Sequence, residues 1–368
     1  MREIENTLQW LGDTGNLRII PDELPGDAVD LSSNDYLGLG IDRTLREDFI
    51  KTLTADSFLM TSSASRLLAS PQRAYSRLEA YLSDLYGQPA LLFNSGYHAN
   101  TGMIGALGGK DTLFVADKLV HASIIDGLVL SGSDFRRFRH NDQQHLRNIL
   151  ARYGHSYRRI VIIAESVYSM DGDRADIPAL IESKSMHDNA FLYIDEAHAV
   201  GVCGEHGLGL AANLHGVDIL VGTFGKALAS AGAFAVMKPA LHDFMVNRCR
   251  SLIFSTALPP LQAEWTLHVL RQAVAGDSLR ARLYGLERRF GDALGIAPSH
   301  IMPYIVGDAR RTVVLSRQLL DIGIKVLPIR TPTVPPGTER LRISLSAALT
   351  DADADRAIDA FNLLLSKQ

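Results

Sequence analysis

The sequence is poor in cysteine: only Cys203 and Cys249 occur in 368 residues. Two cysteines exclude a disulfide framework and suit a reducing compartment. Excess positive charge is also missing, with 37 Lys and Arg against 41 Asp and Glu and a formal net charge of −4. No basic field exists to draw nucleic acid or an anionic membrane, although a local group of arginines can still bind a small acid. Long apolar runs are absent as well. The longest, such as residues 160–164, fall far short of the about 20 residues that span a bilayer. The first ten residues mix Arg2, Glu3 and Glu5 with apolar neighbours and lack the apolar stretch of a secretion signal. A cytoplasmic protein is expected. Internal repeats, low-complexity tracts and long linkers are not evident, and a hydrophobic content of 46% argues for a folded chain throughout.

The length exceeds what one compact core supports. Residues 1–40 read as an N-terminal arm, punctuated by Gly12, Gly15, Pro21, Pro25 and Gly26, which argues against long regular elements there. Residues 41–258 read as a large α/β domain. Short apolar runs at 90–93, 112–116, 160–164, 191–194 and 219–222 alternate with helical stretches at 97–107 and 121–130. Because these runs are continuous rather than alternating, they suit strands of a mostly parallel sheet covered by helices on both faces. Tyr75, Leu78, Leu82 and Leu85 mark one face of a helix over 73–86 that Gly87 ends. After Pro259 and Pro260 the pattern changes. A helix over 261–274, strands at 304–306, 325–329 and 341–345, and a last helix opened by Thr350 and Asp353 make residues 259–368 a smaller α+β domain.

Open parallel sheets bind ligands beyond the carboxyl ends of their strands. Polar residues gather at those ends here. Asn94, Ser95, Gly96 and Tyr97 follow 90–93; Glu165 and Ser169 follow 160–164; Asp195 and His198 follow 191–194; Thr223 and Lys226 follow 219–222. Together they match the parts of pyridoxal 5′-phosphate (PLP). Lys226, preceded by Gly225, offers an amine for a Schiff base. Asp195 offers the buried carboxylate that keeps a pyridine nitrogen protonated. Gly96 and Tyr97 offer backbone N–H groups at a helix start for a phosphate. Thr223 adds a hydroxyl, His198 a donor for the ring oxygen, and His121 a ring to lie on the cofactor face.

Each residue also has an ordinary explanation. A lysine after a strand is usually a solvated charge. Asp195 could cap a helix, His121 could sit at a helix start without a ligand, and Thr223 and Ser169 could bond nearby backbone. Glu196 could be the functional acid instead, although alternation aims it away from Asp195. His198, Cys203 and His206 have a metal-like spacing, but glycines at 201, 204, 207 and 209 break the segment and no fourth ligand is evident. The glycine-rich stretch 204–209 is neither a dinucleotide-binding nor a P-loop motif. The joint pattern of Asp195, His198, Thr223 and Lys226 favours the cofactor.

At these residues the sequence resembles the α-oxoamine synthase family of fold-type I PLP enzymes. The matching stretches are Ser32-Ser-Asn-Asp-Tyr-Leu-Gly-Leu39, Leu92-Phe-Asn-Ser-Gly-Tyr97, His121-Ala-Ser, Glu165-Ser-Val-Tyr-Ser-Met-Asp-Gly-Asp173, Asp195-Glu-Ala-His-Ala-Val-Gly201, Thr223-Phe-Gly-Lys226 and Pro332-Thr-Val-Pro-Pro-Gly-Thr-Glu-Arg-Leu-Arg342. The resemblance implies a PLP-dependent transferase, and most closely the branch that condenses L-alanine with a pimeloyl thioester, carried on CoA or a carrier protein. The products are 8-amino-7-oxononanoate, CO2 and the free thiol, a step of biotin synthesis. By the family pattern Lys226 carries PLP, Asp195 pairs with the ring nitrogen and His198 with the ring oxygen. Ser169 and Thr223 contact the cofactor, His121 stacks on it, and Gly96 and Tyr97 hold the phosphate. Thr333 contacts substrate, Arg342 holds the amino-acid carboxylate, and Arg18 meets the far carboxylate of the pimeloyl chain. A homodimer is implied too.

The sequence departs from the family where Thr61-Ser62-Ser63-Ala64 replaces a glycine-rich stretch before Ser65 and Arg66, at Ser70, and at Tyr75 in place of a histidine. Three other readings stay open: a glycine-using relative, such as a 2-amino-3-ketobutyrate ligase or 5-aminolevulinate synthase type; an aminotransferase on the same fold; and a non-enzymatic PLP-fold module.

Overall fold

Apolar runs that show no alternation become strands buried on both faces in the computed structural model. It describes all residues except 21, 22, 25, 69–71 and 366–368. Pro21, Pro25, Ser70 and the side chain of Leu365 therefore lie outside the described residues. The chain divides into two compact units, one of Leu37–Tyr168 with Asp173–Asp277, the other of Met1–Tyr36, Ser169–Gly172 and Ser278–Gln368.

The larger unit is built on a seven-stranded sheet, ordered Ala90–Phe93, Ala233–Met237, Ile219–Thr223, Ala190–Asp195, Arg159–Glu165, Thr112–Asp117 and Asp134–Phe138. Ala233–Met237 runs antiparallel to both neighbours and the remaining pairs are parallel. Leu113–Ala116 and Ile160–Ile163 are fully buried side chain by side chain, as strands covered by helices on two faces require. The short return from Thr223 to Ala233 explains the antiparallel strand, since a parallel one needs a long crossover. The edge strand Asp134–Phe138 sets Asp134, Arg136 and Arg137 among its five residues and was not expected from the sequence.

Helix ends follow local chemistry. Ser95 caps Gly96–Leu107 by accepting from the His98 N–H. Helix Arg73–Tyr86 buries Ala74, Tyr75, Leu78 and Leu82 and stops at Gly87 in a left-handed conformation, φ 65°, which glycine adopts at little cost.

The second unit holds the antiparallel sheet Leu327–Ile329, Arg340–Ser344 and Ile301–Ile305, with helices Asp277–Leu294, Ala309–Asp321 and Asp351–Leu365. Thr350 and Asp353 exchange side-chain and backbone hydrogen bonds at the last helix start, the reciprocal cap expected from their spacing. Three expectations need correction. Arg2–Asp13 is a regular helix; Gly12 lies within its last turn and Gly15, with φ 73°, follows its cap. The strand expected at 304–306 lies at Ile301–Ile305, where Pro303 masked the run but sits acceptably on a sheet edge. The strand expected over 325–329 is two pieces, Ile324–Lys325 pairing with Val29–Asp30 and Leu327–Ile329 pairing with Arg340–Ser344.

Candidate active site

Strand ends in the larger unit deliver polar side chains to one cavity of about 160 Å3, lined among others by Gly96, His121, Asp195, His198, Thr223 and Lys226. Its placement beyond the carboxyl ends of the parallel strands is where α/β sheets bind ligands. Lys226 Nζ lies 2.7 Å from His198 Nε2. Both follow the ends of adjacent strands, so the pairing register of Ala190–Asp195 and Ile219–Thr223 brings them together.

Asp195 is buried and doubly held. Its Oδ1 accepts from the Ala197 N–H at 2.8 Å and its Oδ2 from Asn100 Nδ2 at 2.8 Å. Both carboxylate oxygens thus act as acceptors. Glu165, at the end of the neighbouring strand, accepts from the His121 N–H. Burial, then the nearby negative charge of Asp195, pushes the Glu165 carboxyl well above its usual range. His121 caps helix Ala122–Leu130, its Nδ1 accepting from the Ser123 N–H at 3.2 Å. Burial lowers its pKa, partly opposed by Asp195.

Glu196 points the other way, as strand alternation requires. Its carboxylate takes Ser166 Oγ at 2.7 Å and the N–H groups of Leu210 and Ala211. Burial raises its pKa to about 7 despite these bonds. It therefore braces the 196–211 loop rather than lining the cavity.

Gly96 and Tyr97 open helix Gly96–Leu107 with no acidic side chain in the first turn, a setting for an anion. The Tyr97 hydroxyl bonds to Asp126. Thr223 Oγ1 donates to the Gly232 carbonyl at 3.2 Å and accepts from the Gly225 N–H at 3.2 Å, so it shapes the turn that carries Lys226. His198, Cys203 and His206 do not converge: Cys203 takes a contact from Arg174, while His206 is paired with Glu205. Among the described residues no group of three or more His, Cys, Asp or Glu side chains is placed to hold a metal ion. No helix among them is long and apolar enough to cross a membrane.

Sequence reasoning missed Asn100, Ser123 and Tyr193, and gave Glu165 no role. An asparagine inside a helix carries no signal of its own, and its partners Ser123 and Asp195 are 23 and 95 residues away. Tyr75 is buried, donates to the Leu258 carbonyl at 2.6 Å and lies under the Arg66 guanidinium. A phenol there has a full set of partners.

The remaining expected residues belong to the second unit. Arg342 is buried, and its guanidinium donates only to neutral acceptors: Ser169 O at 2.6 Å, Ser344 Oγ at 2.6 Å, Asn34 Oδ1 at 3.3 Å and the Tyr36 hydroxyl at 3.4 Å. Among the described residues no carboxylate neutralises it, an expensive arrangement that leaves its charge available to an anion. Ser169 takes part through its carbonyl. Arg18 Nη2 donates to Thr333 Oγ1 at 2.9 Å, which joins two expected substrate residues.

The family model for aminotransferase class I and II matches residues 26–361. The chain belongs to that family. A curated relative from Pasteurella multocida, a putative 8-amino-7-oxononanoate synthase, is 46% identical over 90% of this chain and 88% of its own length. An 8-amino-7-oxononanoate synthase from Haemophilus ducreyi is 45% identical over 90% of both chains. Among solved structures, SPT with a PLP internal aldimine superposes with a TM-score of 0.90 at 28% identity, covering 99% of this chain and 97% of that one. The fold-type I architecture expected from the sequence is thus the observed one.

Proposed function

We propose that this chain catalyses the PLP-dependent, decarboxylative condensation of L-alanine with a pimeloyl thioester, the reaction of 8-amino-7-oxononanoate synthases in biotin synthesis. One observation carries the cofactor assignment: Lys226, Asp195, His198 and His121 line a single open cavity at the strand ends. The names of the curated relatives carry the substrates.

The residues fit the cofactor. Asp195 is a buried carboxylate held by two donors, the partner a pyridinium needs. Lys226 faces the same cavity, and the Gly96 and Tyr97 N–H groups open a helix beside it for the phosphate. When bound, PLP supplies an electron sink for carbanion chemistry at the amino-acid Cα. The chain supplies the rest. Asp195 stabilises positive charge on the ring nitrogen. His198 donates to the ring oxygen, and Thr223 and Ser169 contribute cofactor contacts. Nζ of Lys226 removes the Cα proton of alanine and returns one after carbon dioxide has left. His121 orients the substrate over the ring. Arg342 binds the alanine carboxylate in two-pronged fashion. Arg18 and Thr333 receive the far carboxylate of the pimeloyl chain, which a planar guanidinium suits.

The acyl group is borne by CoA or by a carrier protein. A homodimer belongs to the same reading. Val129, Leu130 and Phe254 of the larger unit expose their apolar side chains by 64%, 72% and 69%, which a second copy covers.

Mass spectrometry of the product from alanine and pimeloyl-CoA tests the proposal. The expected mass is that of 8-amino-7-oxononanoate. Turnover with glycine but not alanine would move the assignment to a glycine-using condensation, and amino transfer without carbon–carbon bond formation would refute it.

A further inference from the structure

Asn100 is the hub of a buried network that ties two groups of the site together. It sits on helix Gly96–Leu107 and is 1% exposed. Its Nδ2 donates to Asp195 Oδ2 at 2.8 Å and to Ser123 Oγ at 2.9 Å, and its Oδ1 accepts from the Tyr193 hydroxyl at 2.6 Å. Ser123 Oγ lies 2.8 Å from His121 Nδ1. Three elements therefore meet at one amide: its own helix, strand Ala190–Asp195 and helix Ala122–Leu130.

The directions of these bonds follow from donor and acceptor inventory. An ionised Asp195 only accepts, so the NH2 group of Asn100 must face it. The amide oxygen then faces Tyr193, whose hydroxyl donates. Ser123 Oγ accepts from Asn100, which leaves its own proton for His121 Nδ1. That nitrogen also accepts from the Ser123 N–H, so it carries no proton, and a neutral ring must then hold its proton on Nε2.

We propose that Asn100 is a positioning residue that orients Asp195 as an acceptor and, through the Ser123 hydroxyl, reinforces the Nε2–H tautomer of His121 beside the Ser123 backbone N–H. The inference rests on the PLP reading of the site and goes beyond it, because it assigns an origin to the state of two groups that touch the cofactor. The charged groups around His121 are Asp195, Lys226 and Asp126, and Glu165 faces Asp195 and Lys226. None of these supplies the proton on Ser123 Oγ.

Two readouts on Asn100→Ala and Ser123→Ala test it. Nitrogen-15 NMR of histidine-labelled protein without PLP reports the His121 tautomer directly. The wild-type protein is expected to show a bare Nδ1, and Ser123→Ala, which keeps the backbone N–H but loses the hydroxyl donor, a partial shift toward the Nδ1–H tautomer. Titration with PLP is the second readout. Asn100→Ala removes a hydrogen bond to a charged group and is expected to weaken PLP binding by about tenfold or more, with a smaller loss for Ser123→Ala. A His121 signal unchanged in both variants, or wild-type PLP affinity in a folded Asn100→Ala protein, would overturn the proposal. If Asn100→Ala fails to fold, Asn100→Ser and Ser123→Ala carry the same tautomer test. Failure of the wild-type protein to bind PLP would instead sink the cofactor reading, while the tautomer of the cofactor-free protein still decides the network.

Discussion

Lys226 Nζ and His198 Nε2 are 2.7 Å apart, although 28 residues separate them in sequence. Adjacent parallel strands end side by side, and each hands one side chain to the same cavity. A ring that donates to a cofactor oxygen beside the lysine holds the cofactor where the amine can reach it. Replacing His198 with Phe is expected to weaken PLP binding by about tenfold, the worth of one hydrogen bond to a charged oxygen. Absorbance titration of the purified protein with PLP checks this. Unchanged affinity would remove His198 from the cofactor contacts.

Arg18 reaches Thr333 across most of the chain, at 2.9 Å. If this pair receives the far carboxylate, Arg18→Ala raises the KM for a pimeloyl thioester by about tenfold and leaves the KM for alanine near its original value. An acyl thioester of similar length without the terminal carboxylate is expected to show no such rise. Steady-state kinetics with both donors makes the comparison.

His140 bridges two carboxylates, Asp117 through Nδ1 at 2.9 Å and Asp173 through Nε2 at 2.7 Å. Burial disfavours the charged ring, but hydrogen bonds and charges from Asp117 and Asp173 outweigh it and raise the pKa to about 10. The unfolded ring titrates near ~6.5. Folding thus takes up a proton between these values. The stabilisation is fully present below about pH 6.5 and is lost as pH rises through about 10. Denaturant unfolding of the wild-type protein and His140→Leu across this range should show the gap between them shrinking. A gap that grows with pH would contradict the bridge.

Gly209 adopts φ +104°, and a Cβ there would stand 2.7 Å from Glu196 Oε2. Backbone strain and a clash with a buried carboxylate act together. Gly209→Ala should lower stability by about 2 kcal/mol or more, read as a shift in the denaturant midpoint. Wild-type stability would mean that the 196–211 loop repacks freely.

Much of this architecture was legible in the residues. Runs such as Ile160–Ile163 have no polar alternation, so they announced strands buried on two faces. Polar residues directly after those runs then marked the strand ends that became the cavity. The edge strand Asp134–Phe138 was hidden because three of its five residues are charged, and helix Arg2–Asp13 because glycines at its end looked like breaks within it. Asn100 and Tyr193 were hidden for a different reason. Their role depends on pairings between distant elements, and an isolated asparagine or tyrosine says nothing about which carboxylate it will meet. Alternation did separate Asp195 from Glu196, since neighbours on a strand face opposite sides.

The central claim is the covalent attachment of PLP to Lys226. Borohydride reduction of the PLP-loaded protein followed by peptide mass spectrometry locates the attachment. The expected result is a single pyridoxyl adduct on the peptide containing Thr223 and Lys226, with none formed in Lys226→Ala. An adduct on a different lysine, or an equal yield from Lys226→Ala, would contradict the account.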